Sequence, residues 1–360
     1  ISEYWDGNYP LVTPAELKGD VYISDTARHI TEKAIAHTNL TLLPIGTVLL
    51  SSRAPIGKVA ITTIEMYCNQ GFKNLICSDA INNKYLYLWL SGKTEYLNSL
   101  GRGATFKEIS KTIVENVIIP LPPLSIQKSI VTELDKINEL IRLKKEQLSD
   151  YDKLAQSLFY EMFGDPVENE KGWEVKKLGE IGELARGVSK HRPRNAPELL
   201  GGTMPLIQTG DVANANFYIR DYTQTYSELG VAQSKVWRKG TLCITIAATI
   251  GKCAILDFTA CFPDSVVGFK PKESIETIFM YFIFSNMQKM LEDFAPGVAQ
   301  KNINLKILND LDIPIPPLSL QQLFASRITQ IEALKSEIQR TIRDLETLLA
   351  SRMQYWFFGF

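Results

Sequence analysis

Lys190-His-Arg-Pro-Arg194 packs three cationic residues and a histidine into five positions, the best single basic patch among the loops. Arg and Lys side chains can donate to O6 and N7 of guanine and neutralise phosphates, while Asn and Gln can pair with N6 and N7 of adenine. The same residue types gather in loops beside β-type runs. In the first half they are Ser52, Arg53, Lys58, Asn69, Gln70, Lys73, Arg102, Thr105 and Lys107. In the second half they are Arg186, Lys190, Arg192, Arg194, Gln208, Thr209, Thr249, Lys252, Gln300, Lys301 and Asn302. As sets they suit double-stranded DNA, although a solvated loop accounts for any single member equally well. The Gly57-Lys58 and Gly251-Lys252 pairs recur at matching places, which fits either a contact or a shared turn.

Catalytic patterns are absent from the sequence. Gly92-Lys93-Thr94 resembles the end of a phosphate-binding loop, but Tyr87 stands where its first glycine belongs. No glycine-rich dinucleotide fingerprint, nucleophile elbow, zinc-binding H-E-x-x-H or N-P-P-Y-type run is present. Cys68, Cys77, Cys243, Cys253 and Cys261 form no C-x-x-C pair, and His29, His37 and His191 are scattered, so no metal site is expected. An odd cysteine count without a signal peptide reads as reduced core thiols in a cytoplasmic protein. The longest apolar run, residues 242–256, contains Lys252 and is too short to span a bilayer. The net charge of −1 argues against a polycation that coats nucleic acid, so any binding charge must be patterned locally.

The elements that must position these loops are written twice, about 194 residues apart. Residues 46–61 and 240–255 are identical at eight of sixteen positions. Pro120-Leu-Pro-Pro-Leu-Ser-Ile-Gln127 returns as Pro314-Ile-Pro-Pro-Leu-Ser-Leu-Gln321, and Phe163-Gly164 returns as Phe358-Gly359. The period is a whole domain plus a helix, far longer than a solenoid unit.

Four segments follow. Residues 1–124 and 165–318 are β-rich and punctuated by Asn, Gly, Pro and Asp. Strands are expected over 40–51, 58–64, 72–77 and 117–120, with helices over 83–99 and 275–294. Residues 125–164 and 319–360 each read as one long helix after a Pro-Pro stop, capped by Ser125 and Ser319. Apolar residues such as Ile130, Leu134, Ile137 and Ile141, or Phe324, Ile328, Ile331 and Ile338, keep a 3-4 spacing, with Lys144 and Lys335 as the polar exceptions. At 1.5 Å per residue each helix is roughly 58 Å long. The simplest burial of both seams is against each other, as an antiparallel coiled coil. The fold class is therefore α+β: two duplicated β-rich domains, each followed by a long helix. Outside the seams, Val131, Leu140, Leu143, Leu334, Leu348, Trp356 and Phe357 are candidates for contact with a partner. The aromatic run 355–360 is expected to pack at a helix junction or on a partner. Pro10-Leu-Val-Thr13 aligns with Pro205-Leu-Ile-Gln208, so residues 173–185 have no counterpart in the first module; its opening strand is expected upstream of Ile1.

Tyr4-Trp-Asp-Gly-Asn-Tyr-Pro10, Leu49–Gly57, Asn69-Gln-Gly-Phe72, the two Pro-Pro-Leu-Ser segments and Phe159–Pro166, in this order and with this duplication, resemble the specificity (S) subunit of type I restriction-modification systems. The resemblance implies that each β-rich module is a target-recognition domain for one half of a split DNA site. It further implies that the helices fix the gap and dock two methyltransferase (M) subunits, through which restriction (R) subunits join. S-adenosylmethionine, ATP and Mg would then belong to those partners, with no cofactor on this chain. The competing readings are a DNA-modifying enzyme with its own active site and a coiled-coil adaptor without DNA contact.

Overall fold

The computed structural model describes residues 2–53, 55–103, 107–247, 249–293 and 303–359. The chain divides into two compact units, Ile1–Lys145 with Gln339–Phe360, and Glu146–Ile338. Unit 1 contains β1 (Trp5–Val12), β2 (Tyr22–Ile23), β3 (His29–Ile30), α1 (Glu32–His37), β4 (Val48–Ser51), β5 (Val59–Thr62), β6 (Tyr67–Cys68), β7 (Phe72–Leu75), α2 (Asn83–Ser91), α3 (Thr94–Ser99), α4 (Lys111–Glu115) and the start of α5 (Leu124–Phe163). Unit 2 continues α5 and adds β8 (Glu174–Lys177), α6 (Leu178–Ile181), β9 (Gly182–Arg186), β10 (Leu200–Leu206), α7 (Thr209–Asn214), β11 (Tyr218–Ile219), β12 (Gln224–Tyr226), α8 (Glu228–Ala232) and β13 (Val236–Trp237). It goes on through β14 (Leu242–Thr245), β15 (Cys253–Leu256), β16 (Ala260–Cys261), β17 (Val266–Pro271), α9 (Thr277–Asp293), α10 (Leu305–Asn309), β18 (Asp312–Ile315) and the first part of α11 (Leu318–Phe358).

The duplication survives in the topology. One sheet of unit 1 runs β2-β5-β4-β7, and its equivalent in unit 2 runs β11-β15-β14-β17-β9. The second sheet of unit 1 runs β3-β1-β6, against β12-β10-β16-β13 in unit 2. The Trp237–Ala260 pair of β13 returns in unit 1 as the lone antiparallel bridge Leu43–Met66. Strands β4, β5, β14 and β15 are buried at every position, which is why they read as unbroken apolar runs without alternation.

Several elements differ from the sequence-based expectation. The run over 40–51 is a strand only from Val48, because Pro44 and Gly46, at φ 83°, turn the chain first. The expected helix over 83–99 breaks into α2 and α3 at Gly92-Lys93, where Lys93 Nζ lies 3.6 Å from the Phe358 ring centroid. Residues 117–120 form no strand, whereas their counterpart β18 does, paired antiparallel with β8.

The recurring glutamine at the end of the Pro-Pro-Leu-Ser motif anchors each long helix. Buried Gln127 accepts from Asn82 N at 2.8 Å and donates to the Ala80 and Pro122 carbonyls at 3.0 and 2.8 Å. Gln321 repeats this on Glu276 N at 3.0 Å and the Pro316 carbonyl at 2.8 Å. Ser125 and Ser319 lie inside the first turn, so the expected serine caps give way to these glutamine pins.

Within each unit the two long helices meet side by side and antiparallel. In unit 1 Glu133 pairs with Arg352, and Lys145 with Glu346 at 2.9 Å. In unit 2 Lys335, the polar exception of the seam, is buried between Asp152 at 2.7 Å and Glu332 at 2.6 Å. Those two carboxylates outweigh the desolvation that would pull the Lys335 ammonium down, and its pKa is raised. The helices also enter the cores of the β-rich domains. Ile130, Leu134 and Phe357 join the core of unit 1. In unit 2 Phe159 stacks with Phe279 and Phe282, while Phe163 meets Phe279 and Phe324 meets Phe282 edge-on. Each such buried side chain contributes about 1.5–3 kcal/mol of burial energy.

Candidate nucleic-acid interface

Backbone hydrogen bonds bring the unit 1 loops to one end of its four-stranded sheet. Beyond β4, Ser52 N donates to the Gly71 carbonyl at 2.8 Å and Ile109 N donates to the Ser52 carbonyl at 3.0 Å. Arg102 and Glu108 exchange backbone bonds at 3.0 Å, and Asn69 N reaches the Val12 carbonyl at 3.3 Å. Residues 13–16, 52–53, 55–58, 69–71, 102–103 and 107–109 therefore border one another. Unit 2 repeats the arrangement: Ile246 N donates to the Ser265 carbonyl, and Ile303 N to the Ile246 carbonyl, both at 3.1 Å. Gly187 N reaches the Val266 carbonyl at 2.9 Å, and Ile207 N the Cys261 carbonyl at 2.8 Å. Arg186, the 187–194 loop, Gln208-Thr209 and residues 246–247 and 249–252 lie at the matching sheet end.

A hydroxyl fixes the Gly-Lys turn in both units. Ser51 Oγ donates to the Pro55 carbonyl and accepts from Lys58 N, at 2.7 and 2.8 Å. Thr245 Oγ1 donates to the Thr249 and Lys252 carbonyls. Gly57 and Gly251 sit at φ 96° and 77°, where an L side chain is strained, so the recurrent glycine is required by the turn.

Among the expected contact residues, Ser52 is corrected: it is fully buried, and its hydroxyl accepts from Lys73 Nζ at 3.3 Å. Lys73 also pairs with Glu108 at 3.3 Å, and the Lys58 ammonium is held on the Pro14 carbonyl at 3.2 Å. Asn69 Oδ1 braces its own turn through Gly71 N at 3.0 Å. Arg53 is half-buried, while Gln70, Arg102 and Lys107 are exposed. In unit 2 Arg192 donates to the Ser189 and His191 carbonyls at 2.6 and 2.8 Å, and Arg194 pairs with Asp264 at 2.8 Å. The basic 190–194 patch is thus partly committed within the protein, and the Lys190 and His191 backbone N–H groups donate to Gln233. Gln208 Nε2 bonds Gln224 at 3.1 Å, Thr209 and Arg186 are half-buried, and Thr249 and Lys252 are exposed. Among the described residues, Arg53, Arg102, Lys107, Arg186, Lys190 and Lys252 form no ion pair, which leaves their charge for a ligand. Thr105, Gln300, Lys301 and Asn302 lie outside the described residues.

The unit 1 loops enclose an open cleft of about 540 Å³ that Arg53 and Asn69 share with Thr13, Glu16 and Arg28. Glu16 shapes it by accepting from Thr13 N and Ala27 N, both at 2.7 Å. Arg28, whose guanidinium lies 5.8 Å from the Trp5 ring centroid, was missed in the sequence. Thr13 was missed as well, although its alignment with the candidate Gln208 was a signal that could have found it.

The partner candidates separate by burial. Leu140, Leu143, Leu334 and Leu348 are exposed, and half-buried Val131 packs on the core of unit 1. Trp356 donates its indole N–H to Glu133 at 3.1 Å. Phe357 is corrected: only 4 % exposed, it packs edge-on against Tyr85 inside unit 1. Among the described residues no group of His, Cys, Asp and Glu is placed to hold a metal ion, and no helix is long and apolar enough to cross a membrane.

Comparison with known proteins follows the same doubling. Residues 2–150 and 170–347 match the type I restriction modification DNA specificity domain. The type I restriction enzyme MjaIX specificity subunit of Methanocaldococcus jannaschii is 40 % identical over 217 residues, which is 55 % of this chain and 49 % of that protein, so the chain spans about half of that relative's length. The putative MjaX specificity subunit of the same organism is 25 % identical over 371 residues, 95 % of this chain and 86 % of that protein. A solved chain from work on complex assembly and conformational transition of the type I R-M system shares the fold at a TM-score of 0.63 and 21 % identity, covering 93 % of this chain and 90 % of its own. With both repeats matched, the chain belongs to the type I restriction modification DNA specificity domain family.

Proposed function

We propose that this chain is the DNA-recognition subunit of a type I restriction-modification complex, each unit reading one half of a bipartite site. The loops at the sheet end of each unit supply the reading groups: Arg53, Arg102 and Lys107 in unit 1, with Arg28 and Asn69 at the cleft, and Arg186, Lys190, Thr249 and Lys252 in unit 2. Helices α5 and α11 pair as an antiparallel coiled coil that sets the gap between half-sites. Leu140, Leu143, Leu334 and Leu348 offer the apolar surface on which two M subunits dock, with R subunits joining through them. Catalysis, S-adenosylmethionine, ATP and Mg belong to those partners, and the assembly works in the cytoplasm.

The observation that carries this reading is the twofold occurrence of one cationic loop cluster on one sheet end, in a chain whose two matched stretches belong to a DNA specificity family. The test is a module exchange. When residues 165–318 are replaced by the equivalent module of a relative and the chain is co-expressed with its M subunit, the methylated motif should change in one half only. An unchanged motif would refute the reading.

A further inference from the structure

The two units carry different side chains at one shared position of their second sheets. In unit 1, β1 pairs antiparallel with β3 through Tyr9–Ile30 and Pro10–His29, and Leu11 N donates to the Arg28 carbonyl at 2.9 Å. In unit 2, β10 pairs antiparallel with β12 through Met204–Tyr226, Pro205–Thr225 and Leu206–Gln224. Pro10 and Leu11 are the counterparts of Pro205 and Leu206, so the strand register makes Arg28 the counterpart of Gln224. Thr13 and Gln208 follow on the neighbouring strand ends and form the second matched pair. The partner strands β3 and β12 lie one residue out of step with the rest of the repeat, so only the strand pairing aligns Arg28 with Gln224.

The chemistry at this position differs between the units. In unit 1, exposed Arg28 lines the open cleft together with Arg53, and neither forms an ion pair among the described residues. The Arg28 guanidinium is held 5.8 Å from the Trp5 ring centroid, and Glu16 fastens the adjacent Ala27 N at 2.7 Å. Two guanidinium groups on one cleft offer donors only and repel each other until an acceptor-rich group lies between them. In unit 2, Ala247 stands where unit 1 has Arg53, and the shared position holds an amide pair: Gln208 Nε2 donates to Gln224 Oε1 at 3.1 Å. The Gln224 oxygen keeps a second lone pair, and its amino group donates to no other described residue. Exposed Gln224 therefore presents an acceptor and donors side by side.

We propose that this shared position reads one base pair in each half-site. Arg28 takes guanine through O6 and N7, Gln224 takes adenine through N6 and N7, and Gln208 is the positioning residue that holds the Gln224 amide. The inference rests on the DNA-recognition function proposed above and adds which side chain specifies which base. In the major groove guanine shows two acceptors, which suit the donor-only fork of Arg28, whereas adenine shows one donor and one acceptor, which suit an amide. A phosphate oxygen only accepts and would leave the Gln224 oxygen unused.

The test offers the full chain, bound to its M subunit, a pool of duplexes with both half-sites randomised, and sequences the duplexes retained. Arg28→Gln should lower the preference for one G·C pair in one half-site about ten-fold or more and move it toward A·T. Gln224→Arg should make the reverse change at one pair of the other half-site. Gln208→Ala should relax the same pair as Gln224→Ala, and the double substitution should cost little more than either single one, a coupling that general unfolding does not produce. Arg28 and Gln224 are exposed, so the melting temperature of their variants should stay unchanged. Unchanged base preference would overturn the proposal. A uniform loss of affinity for all duplexes with a shallower salt dependence would also overturn it, because these side chains would then be phosphate contacts. If exchange of residues 165–318 alters one half-site while these substitutions alter no base, the assignment fails and the recognition function stands. If the exchange alters neither half-site, the function itself fails.

Discussion

Gln127 and Gln321 show how a single side chain can explain a repeated motif. Each is buried, and each ties the backbone just before its long helix to the backbone just before α2 or α9. Leucine in either place would leave those groups desolvated and unpaired, a cost of about 1–3 kcal/mol. Thermal denaturation of Gln127→Leu and Gln321→Leu should therefore show clear destabilisation, while substitution of the neighbouring Ser125 should be nearly silent. Arg53 makes a different kind of contribution. It lines the unit 1 cleft without an ion pair among the described residues, so Arg53→Ala should leave the melting temperature unchanged. If Arg53 contacts a base edge, the substitution should weaken DNA binding by the M-bound complex by about 1–3 kcal/mol and relax preference at one base position. Arg194→Ala should weaken it less, because Asp264 already holds that guanidinium.

At the scale of elements, the stretch of α5 in unit 1 is held to α11 by a small polar cluster. The Arg352 guanidinium donates to Glu133 and, with the Trp356 indole, keeps that carboxyl below its ordinary range against the opposing effect of burial. A carboxyl lowered in the folded state contributes stability that is complete above its unfolded value, about 4.3, and is lost as pH falls through the lowered folded value. The pair is partly solvated, so its contribution is about 1 kcal/mol or less. Melting curves of the intact chain and of Glu133→Gln should differ at pH 7 and converge on acidification below about pH 4. A difference that persists at low pH would mean that the cluster acts through packing alone.

For the whole molecule, a chain with a net charge of −1 has little long-range attraction for DNA, so under the proposed function binding would come from the few cations at the sheet ends that form no ion pair among the described residues. If α5 and α11 set the gap between half-sites, inserting one heptad into each should lengthen the gap in the methylated motif and leave both half-site sequences intact. Sequencing of methylated DNA after co-expression with the M subunit reads this outcome directly; an unchanged gap would remove the spacer role. Among the described residues the sheet β2-β5-β4-β7 has one strand fewer than its equivalent β11-β15-β14-β17-β9, and hydrogen exchange should register β7, at a sheet edge, as faster exchanging than β17, which is paired on both sides.

By itself, the sequence determined the duplication, the two long helices to within two residues of their ends, and the loops where cations and amides collect, because periodicity and repetition are local properties of a chain. Tertiary structure alone decided which polar side chains are spent within the protein. Ser52, Arg192 and Arg194 look like reading groups in the sequence, yet Ser52 is buried, Arg192 is bonded to carbonyls of its own loop, and Arg194 is paired with Asp264, which only folding brings near. It also turned Phe357 from a surface candidate into a core residue and left residues 117–120 without a strand partner. Burial and strand pairing are long-range: whether a side chain or an edge is free depends on groups dozens to hundreds of positions away, which no local pattern records.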